Sequence, residues 1–531
     1  MPRIQAPLGM EGAENLPRTK RNLHNVYNSG KTSDTGSREI LPRPGIELLA
    51  STTRVARGQF VWNEELYQVQ SQSLVKITNT TTGANTVIGE ITGAETIRTA
   101  NGFNDCVIVV RGGDIFALSN STTLVTVTGV TNSGGVARFA HGGTAPVVGN
   151  TVTLSTFVTN TAYNVTGIVS VVGSGFFEVT GISFGSDEAG KFSLVLSKIS
   201  INSNFEACND VTHINGKFVY IPTSGDPAFF SNVGAAGTVQ STSFFDAEEL
   251  PDKNNACFNG RNTLFICGTD SIESFRDTGA SPNPFTRVTG SRILNGFIGG
   301  LLEYQDTFIF IGREKDQDSG IFAIQQGGAS KISNERIDLI LTNSTLIELK
   351  NAIAGRFKWR GRDIATFSIG NNSFAFYNGS WFTLSTIVNS KEVSWSAGFI
   401  NQFENEYYTA FNNKIGKFSS VNTDYGNAIP RIIETIIEQS DDDFISLQSI
   451  QLGVSQGFNS GVKSVALQLS RDNVNYGAYA YKTLGNIGDY EAKVVWNPPG
   501  GLGSYEGFIG IRFYTIDDMV FSVDKMIAKV R

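Results

Sequence analysis

Short runs of apolar residues recur along the chain, and each follows a glycine or a turn-forming pair. Such runs occupy 107–110, 218–221, 264–267 and 308–311, behind Gly102, Gly216, Gly260 and the pair Gln305-Asp306. Similar strands follow Gly58, Gly361 and Asn405. A continuous apolar run, unlike strict alternation, is typical of a strand whose two faces are both covered. The pattern therefore predicts many short, buried β-strands.

The spacing of these motifs is close to constant. Gly58 and Gly102 are 44 positions apart, as are Gly216 and Gly260, and Gly361 and Asn405. A period of about 40–50 residues with several short strands is the signature of a propeller blade. The seven motifs predict an all-β fold with a six- or seven-bladed β-propeller, seven if each motif is one blade. Several unrelated β-domains with chance spacing stay open as the alternative.

Two gaps break the period. Gly102 and Gly216 are 114 positions apart, and the residues between them are rich in Thr, Val and Gly. This excess predicts an inserted small β-domain over 122–195, placed on a blade loop where insertions are tolerated. The gap of 56 between Gln305 and Gly361 predicts a short helix or helix pair between Ile337 and Ala354, with Ser344 as a possible cap.

The ends of the chain lie outside the repeat. Residues 1–56 are predicted to be an extended N-terminal arm, because Pro42, Pro44 and Gly45 favour an extended segment. The propeller is expected over 57–121 and 196–430, and a separate C-terminal β-sandwich over 431–531. The acidic run Asp441-Asp442-Asp443 is interpreted as a linker near the start of that sandwich.

Composition narrows the class of protein. The 57 glycines, 37 phenylalanines and a charged fraction of only 17% favour short strands joined by turns. A net charge of -7 argues against tight, sequence-independent nucleic-acid binding, which needs Lys and Arg. The first residues have no apolar core of a signal peptide, and no stretch reaches the ~18 apolar residues of a membrane span, so we expect neither.

Residues with chemical potential form no complete motif. The four cysteines, Cys106, Cys208, Cys257 and Cys267, include no CxxC pair and are expected to be reduced, as in a cytoplasm. Gly181–Gly185 fits GxSxG and Gly185–Lys191 fits GxxxxGK, but no helix is predicted after either. Asp472 resembles part of an Asp-box turn, and His141 and His213 are placed in turns. The sequence predicts no catalytic, cofactor-binding or metal-binding residue.

Several stretches together resemble one family. They are residues 25–28 and 43–45, GTDSIESFRDTGASPNPFTRVTG (268–290), 332–333 with 360–363, YNGSW (377–381), SRDNVNYG and LGNIGDYEAKVVW. In this order they are similar to the tail-nozzle, or packaged-DNA stabilisation, proteins of short-tailed bacteriophages. Arg362-Asp363 departs from the Gly-His pair expected there. The core of the insert, 163–179, resembles a small β-module of phage structural proteins.

The resemblance implies a structural, non-enzymatic subunit of the virion tail, made in the host bacterial cytoplasm and using no cofactor. It implies a ring, six copies by family resemblance, beneath the portal and adaptor proteins and near the tail fibre or spike proteins. Double-stranded DNA would pass without specific binding, so we expect an acidic or neutral channel wall. Asp246–Glu249 and Asp316–Asp318 are acidic stretches in the blade loops, with no assigned place on that wall.

Two other functions stay open. One is a carbohydrate-binding propeller that recognises the host surface. The other is a glycan-cleaving propeller enzyme, which needs two carboxylates about 5–10 Å apart across a cleft. Aromatic-rich loops with clustered carboxylates on one propeller face would favour either alternative.

Overall fold

A computed structural model describes residues 3–5, 22–32, 38–120, 124–143, 146–246, 252–314, 318–325, 328–438, 444–490 and 492–531. Almost every regular element in it is a β-strand, which confirms the all-β prediction. Of the regions predicted above, the linker Asp441–Asp443 lies outside the described residues.

Within the described residues, seven four-stranded antiparallel sheets follow one another along the chain, and we number them 1 to 7. Sheet 1 contains Ala56–Trp62, Glu65–Gln70, Ser73–Asn79 and Ala84–Glu90, and sheet 2 contains Ile97–Asn101, Asp105–Val110, Ile115–Ser119 and Gly190–Lys198. Sheet 3 contains Cys208–Ile214, Lys217–Pro222, Ala228–Phe230 and Phe244–Phe245, and sheet 4 contains Asn254–Gly260, Thr263–Gly268, Ile272–Asp277 and Phe285–Arg287. Sheet 5 contains Asn295–Tyr304, Thr307–Glu314, Ser319–Gln325 and Gly328–Lys331, and sheet 6 contains Ile353–Trp359, Arg362–Ile369, Asn372–Tyr377 and Ser380–Thr383. Sheet 7 contains Phe399–Phe403, Glu406–Phe411, Lys414–Ser419 and Gly45–Ser51, and two short strands, Thr423–Asp424 and Asn427–Ala428, extend it.

These sheets form a ring. The first strand of each sheet contacts the first strand of the next, and Phe399–Phe403 of sheet 7 contacts Ala56–Trp62 of sheet 1. First strands therefore surround the axis, as in a β-propeller. The predicted apolar runs are the second strands of their sheets, and they are buried because neighbouring sheets cover both of their faces.

Tight turns of one kind join the first and second strands. In six of the seven sheets as described, both turn residues have positive φ, as at Asn215-Gly216 and Arg360-Gly361. Paired positive φ values are those of a type I′ hairpin turn, whose twist matches that of the strands. Gly260 was expected in such a turn, but the turn lies at Arg261-Asn262. Gly260 lies in a strand, where a Cβ would stand 2.8 Å from the Phe308 ring.

The N-terminal region differs from the predicted separate arm over 1–56. Its strand Gly45–Ser51 pairs antiparallel with Lys414–Ser419 and supplies the fourth strand of sheet 7. The ring is thus closed by pairing the beginning of the repeat region with its end. The physical reason is that a sheet with three strands would leave an unpaired edge at the place where the ring must close.

The inserted residues extend sheet 2. Their strands are Val125–Ser133, Val136–His141, Thr151–Ser155, Thr166–Gly173 and Phe176–Ser183, with a 3-10 turn at Thr161–Tyr163. They enclose an apolar cluster of their own that includes Phe139, Phe177 and Phe192. Strand Gly190–Lys198 is shared, since its first residues pair with the insert and its last three pair with Phe116–Leu118 of sheet 2.

Two short helices separate sheets 5 and 6. They span Glu335–Asn343 and Leu346–Lys350, close to the predicted place. Asn334 caps the first helix. Thr345, rather than Ser344, caps the second in a capping box with Glu348. Ser344 instead ends the first helix, and Ala354 lies in the following strand.

The C-terminal region forms two facing sheets, which we call the sandwich. One sheet contains Asn22–His24, Arg431–Glu438, Phe508–Thr515, Ser464–Ser470 and Ala480–Thr483. The other contains Arg3–Gln5, Val26–Thr32, Arg38–Pro42, Phe444–Val454, Val494–Trp496, Gly503–Glu506 and Val523–Val530. The N-terminal residues are therefore part of this sandwich rather than an arm outside it.

The sandwich is also joined to the propeller, which differs from the predicted separate domain. Strand Asn22–His24 lies between Arg431–Glu438 and Ser380–Thr383, so the first sandwich sheet continues sheet 6. One apolar cluster includes Ile433 and Phe513 of the sandwich together with Phe357 and Phe418 of the propeller. This shared core exists because the N-terminal strand bridges the two sheets.

Candidate functional site

A cleft lies where the first helix, sheet 6, the N-terminal strand and the hairpin Ser385–Val388/Lys391–Ser394 meet. It has a volume of about 740 Å³ and is lined by His24, Arg336, Leu339, Ile340, Asn343, Asn371, Asn372, Ser373, Thr383, Leu384, Ser385, Glu392, Val393 and Ser394. Among these residues Glu392 is the single carboxylate. The two-carboxylate arrangement of a glycosidase is therefore not met by the lining of this cleft.

The His24 ring contacts three polar side chains of the cleft. Its Nε2 lies 2.5 Å from Ser385 Oγ and 3.0 Å from Glu392 Oε1, and its Nδ1 lies 2.6 Å from Thr383 Oγ1. In a Ser-His-acid triad the hydroxyl and the carboxylate occupy opposite ring nitrogens. Here Ser385 and Glu392 share Nε2, and the hydroxyl on Nδ1 is that of Thr383, which also lies 3.4 Å from the carbonyl oxygen of Leu23. The hydrogen bond from His24 holds the pKa of Glu392 below its usual range. The contacts of His24 with Ser385 and Glu392 attach the N-terminal strand to the hairpin.

Beside His24, a buried ion pair joins three parts of the chain. The Arg43 guanidinium donates to both carboxylate oxygens of Asp424, at 2.9 and 2.6 Å, and neither side chain is exposed. The remaining donors of Arg43 reach Asn25 Oδ1 at 2.7 Å and the carbonyl oxygens of Pro44 and Ser385. Thr386 Oγ1 donates to Asp424 at 2.6 Å. We call these residues the Arg43 node.

The Arg43 node connects the N-terminal strands, the hairpin and sheet 7. Asn25 extends it further, because its Nδ2 donates to the carbonyl of Pro430 at 2.6 Å, at the start of the sandwich. Sequence reasoning missed this node. Arg43 and Asp424 are 381 positions apart, so no local pattern pairs them.

The other motifs noted in the sequence have structural roles. Ser183 of the GxSxG match is exposed at the end of a strand, with no helix after it. In the GxxxxGK match, Gly190 faces the Phe157 ring, which leaves 2.4 Å for a Cβ. Glu188 of that match accepts the backbone N–H groups of Val158, Thr159 and Asn160. This loop presents a carboxylate to backbone amides, so it is unsuited to cradle a phosphate.

The Asp-box-like turn stabilises itself. Asp472 accepts the N–H groups of Val474 and Asn475 at 2.9 and 2.7 Å, and the Ser470 hydroxyl at 2.9 Å. These hydrogen bonds, first that from Asn475, hold the pKa of Asp472 well below its usual range. The turn lies in the sandwich, within the range 431–531 predicted for it. His141 and His213 lie in strands rather than in the predicted turns.

The four cysteines are free and buried, and burial raises the pKa of each thiol. Among the residues that the structure describes, no group of three or more His, Cys, Asp and Glu side chains could hold a metal ion. In the same residues no helix has the length and apolar character needed to cross a bilayer. Of the two acidic stretches, 247–249 and 316–317 lie outside the described residues.

A second cavity lies at one mouth of the propeller axis. Its volume is about 220 Å³, and its lining comes from sheets 1, 2, 6 and 7 and from the link after the second helix: Gln59, Thr96, Ile97, Arg98, Thr99, Arg111, Asn351, Ala352, Ile353, Ala354, Phe399, Ile400 and Asn401. Arg111 donates to the carbonyl of Lys350 at 2.8 Å and so holds that link against sheet 2.

Comparison with known proteins gives one family. The family model described as "Bacteriophage P22 Gp10, beta-propeller" matches residues 5–420. No curated protein matches the chain.

Solved structures show only weak likeness. The computationally designed Ika8 protein is 9% identical, with 70% of this chain and 98% of that chain covered and a TM-score of 0.33. The N-terminal domain of Nup159 is 9% identical, with 75% and 99% covered and a TM-score of 0.35. AztD from Citrobacter koseri is 9% identical, with 70% and 95% covered and a TM-score of 0.29. Scores this low add nothing to the assignment of the fold.

Proposed function

The chain belongs to the family described as Bacteriophage P22 Gp10, beta-propeller, and from this premise we propose that it is a tail-nozzle subunit of a short-tailed phage. Membership makes it a structural protein of a phage tail, and so a virion component. The proposal adds that it extends and closes the DNA channel below the portal and adaptor proteins. There it retains the packaged genome and passes it at ejection. The observation that carries this proposal is the family match over residues 5–420.

The axis of a single propeller is an unsuitable path for DNA. Its mouth cavity has about 220 Å³ and is lined in part by the link after the second helix, whereas the major groove of a duplex alone is about 12 Å wide. A channel for DNA would thus need several copies side by side, with the outer surfaces of the subunits as its wall. This supports the proposed ring, for which the family resemblance suggests six subunits.

The net charge of the chain and the pairing of its N-terminal strands are also consistent with this role. A net charge of -7 disfavours tight retention of phosphates, so DNA can pass without being held. Packaged DNA repels itself, and a subunit that closes its exit must resist that force. Here the N-terminal strands pair within both the sandwich and sheet 7, so pulling on one end does not simply peel off a terminal segment.

The proposal includes partners. We propose contacts with further copies of the chain, with the portal and adaptor proteins, and with tail fibre or spike proteins, and synthesis in the host cytoplasm, where buried free cysteines remain reduced. We further propose that the subunit performs no catalysis and uses no cofactor.

A retention assay tests the proposal. Phage particles assembled without this protein should package DNA and then lose it, so nuclease would digest their genome. Adding the purified protein to such particles before release should restore nuclease protection. As a matched control, the same mass of an unrelated protein, bovine albumin, is added instead. Particles that keep their genome without the protein would contradict the proposal.

One observation favours a second candidate, the binding of carbohydrate. Tyr479 and Tyr481 are 48% and 61% exposed, and the rings of Tyr479 and Tyr514 lie 5.4 Å apart on one face of the sandwich. Exposed tyrosine rings offer an apolar face with a polar tip, which suits a sugar. These rings lie on the sandwich rather than on the predicted propeller face. Glycan-array binding that is lost in Tyr481→Ala would support this candidate, and an array without any bound glycan would exclude it.

A further inference from the structure

The cavity at the mouth of the propeller axis concentrates positive charge. Arg98 and Arg111 both line it, one from the first strand of sheet 2 and the other from the turn after the second strand. The Arg98 charge is close enough to contribute, after burial, to lowering the pKa of Arg111. Two arginine side chains therefore line one small cavity.

Most donors of these two groups are unused. Arg111 uses Nη1, which donates to Lys350 O at 2.8 Å and to Asn351 Oδ1 at 3.4 Å. In the part of the chain that the structure describes, the Arg98 side chain has no hydrogen bond and no ion pair within 4 Å. A guanidinium carries five N–H donors in a planar fork that matches the oxygens of carboxylate and phosphate.

A buried amide in the same lining lacks a partner. Gln59 is 9% exposed, and its Nε2 has no hydrogen-bond partner among the described residues. Asn401, which lines the cavity from sheet 7, has an Oδ1 that is also unpaired among the described residues. Buried polar groups in proteins are nearly always paired, so an unpaired buried donor in the lining of a cavity indicates a place for a ligand or a water molecule.

Among the described residues, neither nearby carboxylate forms a hydrogen bond with Arg98 or Arg111. Asp210 is buried, and its oxygens accept the N–H groups of Val211 and Cys257 at 2.9 and 3.1 Å. Its pKa is raised by burial, against the opposing charges of Arg98 and Arg111. Glu95, which also attracts Arg111, is exposed to solvent. Water screens Glu95, so it neutralises the cavity less than its charge suggests.

We propose that this cavity binds one small oxyanion of the phosphate, sulfate or carboxylate class, held by Arg98, Arg111 and Gln59. The volume of about 220 Å³ admits an ion of this size and excludes a duplex. Because Arg111 also holds Lys350 and Asn351, the bound anion fixes the link after the second helix to sheet 2. The bound anion would therefore connect sheets 1, 2 and 6 at the mouth of the axis.

The test measures binding of inorganic phosphate to the purified full-length chain. Chloride is exchanged for phosphate at constant ionic strength and pH, and binding is followed by titration calorimetry and by the thermal midpoint. The expected result is saturable binding of one phosphate per chain, with a midpoint that rises with its concentration. A parallel series with acetate separates carboxylate binding from a requirement for a tetrahedral anion.

Three variants locate the site. Arg98→Gln removes the uncommitted guanidinium and should weaken phosphate binding at least tenfold. Gln59→Glu places a carboxylate inside the cavity, so it should abolish phosphate binding even if Arg98→Gln fails to fold. Arg54→Gln removes an exposed arginine outside the cavity and should bind as the unchanged chain does. Absence of saturable binding, or equal binding by the unchanged chain and Gln59→Glu, would overturn the proposal.

Discussion

Arg43 and Asp424 form the most buried ion pair of the described structure, and every oxygen and nitrogen of the pair faces a partner within the Arg43 node. Taking two charges out of water is costly, and the geometry compensates only while both partners remain. The Arg43 side chain also lies over the Trp395 ring at 5.2 Å. Loss of either partner would leave an unpaired buried charge, at the point where three parts of the chain meet.

We expect Arg43→Ala to destabilise the protein by about 3–5 kcal/mol, the usual cost of breaking a buried pair. Arg43→Lys keeps the charge but loses the planar fork, so it should also destabilise, by less. Thermal unfolding followed by calorimetry measures both effects as a lower midpoint. Arg54→Ala, at an exposed position, is the matched control and should leave the midpoint unchanged. An Arg43→Ala midpoint equal to that of the control would contradict this account.

Single residues also show what the sequence could reveal. The turn pairs Asn215-Gly216 and Arg360-Gly361 are local signals, because an Asn or Gly with positive φ belongs to a tight hairpin turn. The spacing of Gly58 and Gly260 indicated the repeat length correctly, but neither glycine lies in a hairpin turn. Each lies in a strand whose neighbour approaches closely, Ile97 within 2.1 Å of a Cβ on Gly58. Such close approach depends on the neighbouring sheet, which a local pattern does not contain.

At the scale of elements, the shared strand Gly190–Lys198 decides how far the insert depends on the propeller. The insert has its own apolar cluster, and sheet 2 needs only the last three residues of the strand for its pairing. A small element with a separate core can be removed at little cost when its ends lie close together. Here residues 118 and 196 are register partners.

Deleting residues 122–195, with a short Gly/Ser join, should therefore leave a folded propeller. The expected product is monodisperse, with a far-ultraviolet circular dichroism spectrum typical of β-sheet and one cooperative thermal transition. The comparison is Phe139→Ala in the full chain, which should disturb the insert alone. Aggregation of the deletion variant under conditions in which the full chain is stable would show that the insert is integral to sheet 2.

The N-terminal strands are the element that sequence reasoning described least well. Their partners, Lys414–Ser419 and Arg431–Glu438, lie several hundred positions later. Prolines 42 and 44 correctly indicated an extended backbone, but an extended backbone is common to a free arm and a strand. Only the unpaired edge of sheet 7 requires the strand, and that edge is a property of the closed ring.

We expect deletion of residues 1–44 to destabilise the sandwich and sheet 6 together. It removes Asn22–His24, Val26–Thr32 and Arg38–Pro42, and also Arg43. Limited proteolysis should then cut within 431–531 at protease doses that leave the full chain intact. Deletion of residues 1–21 removes only the described strand Arg3–Gln5 and serves as the control. Equal protease resistance of the two deletion variants would refute the bridging role of these strands.

On the scale of the whole molecule, the β-propeller predicted from the motif spacing is confirmed by the family match and by the ring of sheets. The apolar second strands carried that prediction, since their burial on both faces is a local property of the sequence. The junction of sandwich and propeller was not predictable, because it is made by one short strand between two sheets. Partners and the channel surface stay predictions for the same reason, as they depend on other chains.

The central claim is that several copies of this chain form a closed ring around the DNA path. Electron cryo-microscopy of intact particles measures it most directly, because the purified chain need not assemble without the rest of the tail. The account predicts a ring, six subunits by family resemblance, on the tail axis below the portal and adaptor, with an acidic or neutral channel wall. A position off the axis, or a wall dominated by Lys and Arg, would contradict it.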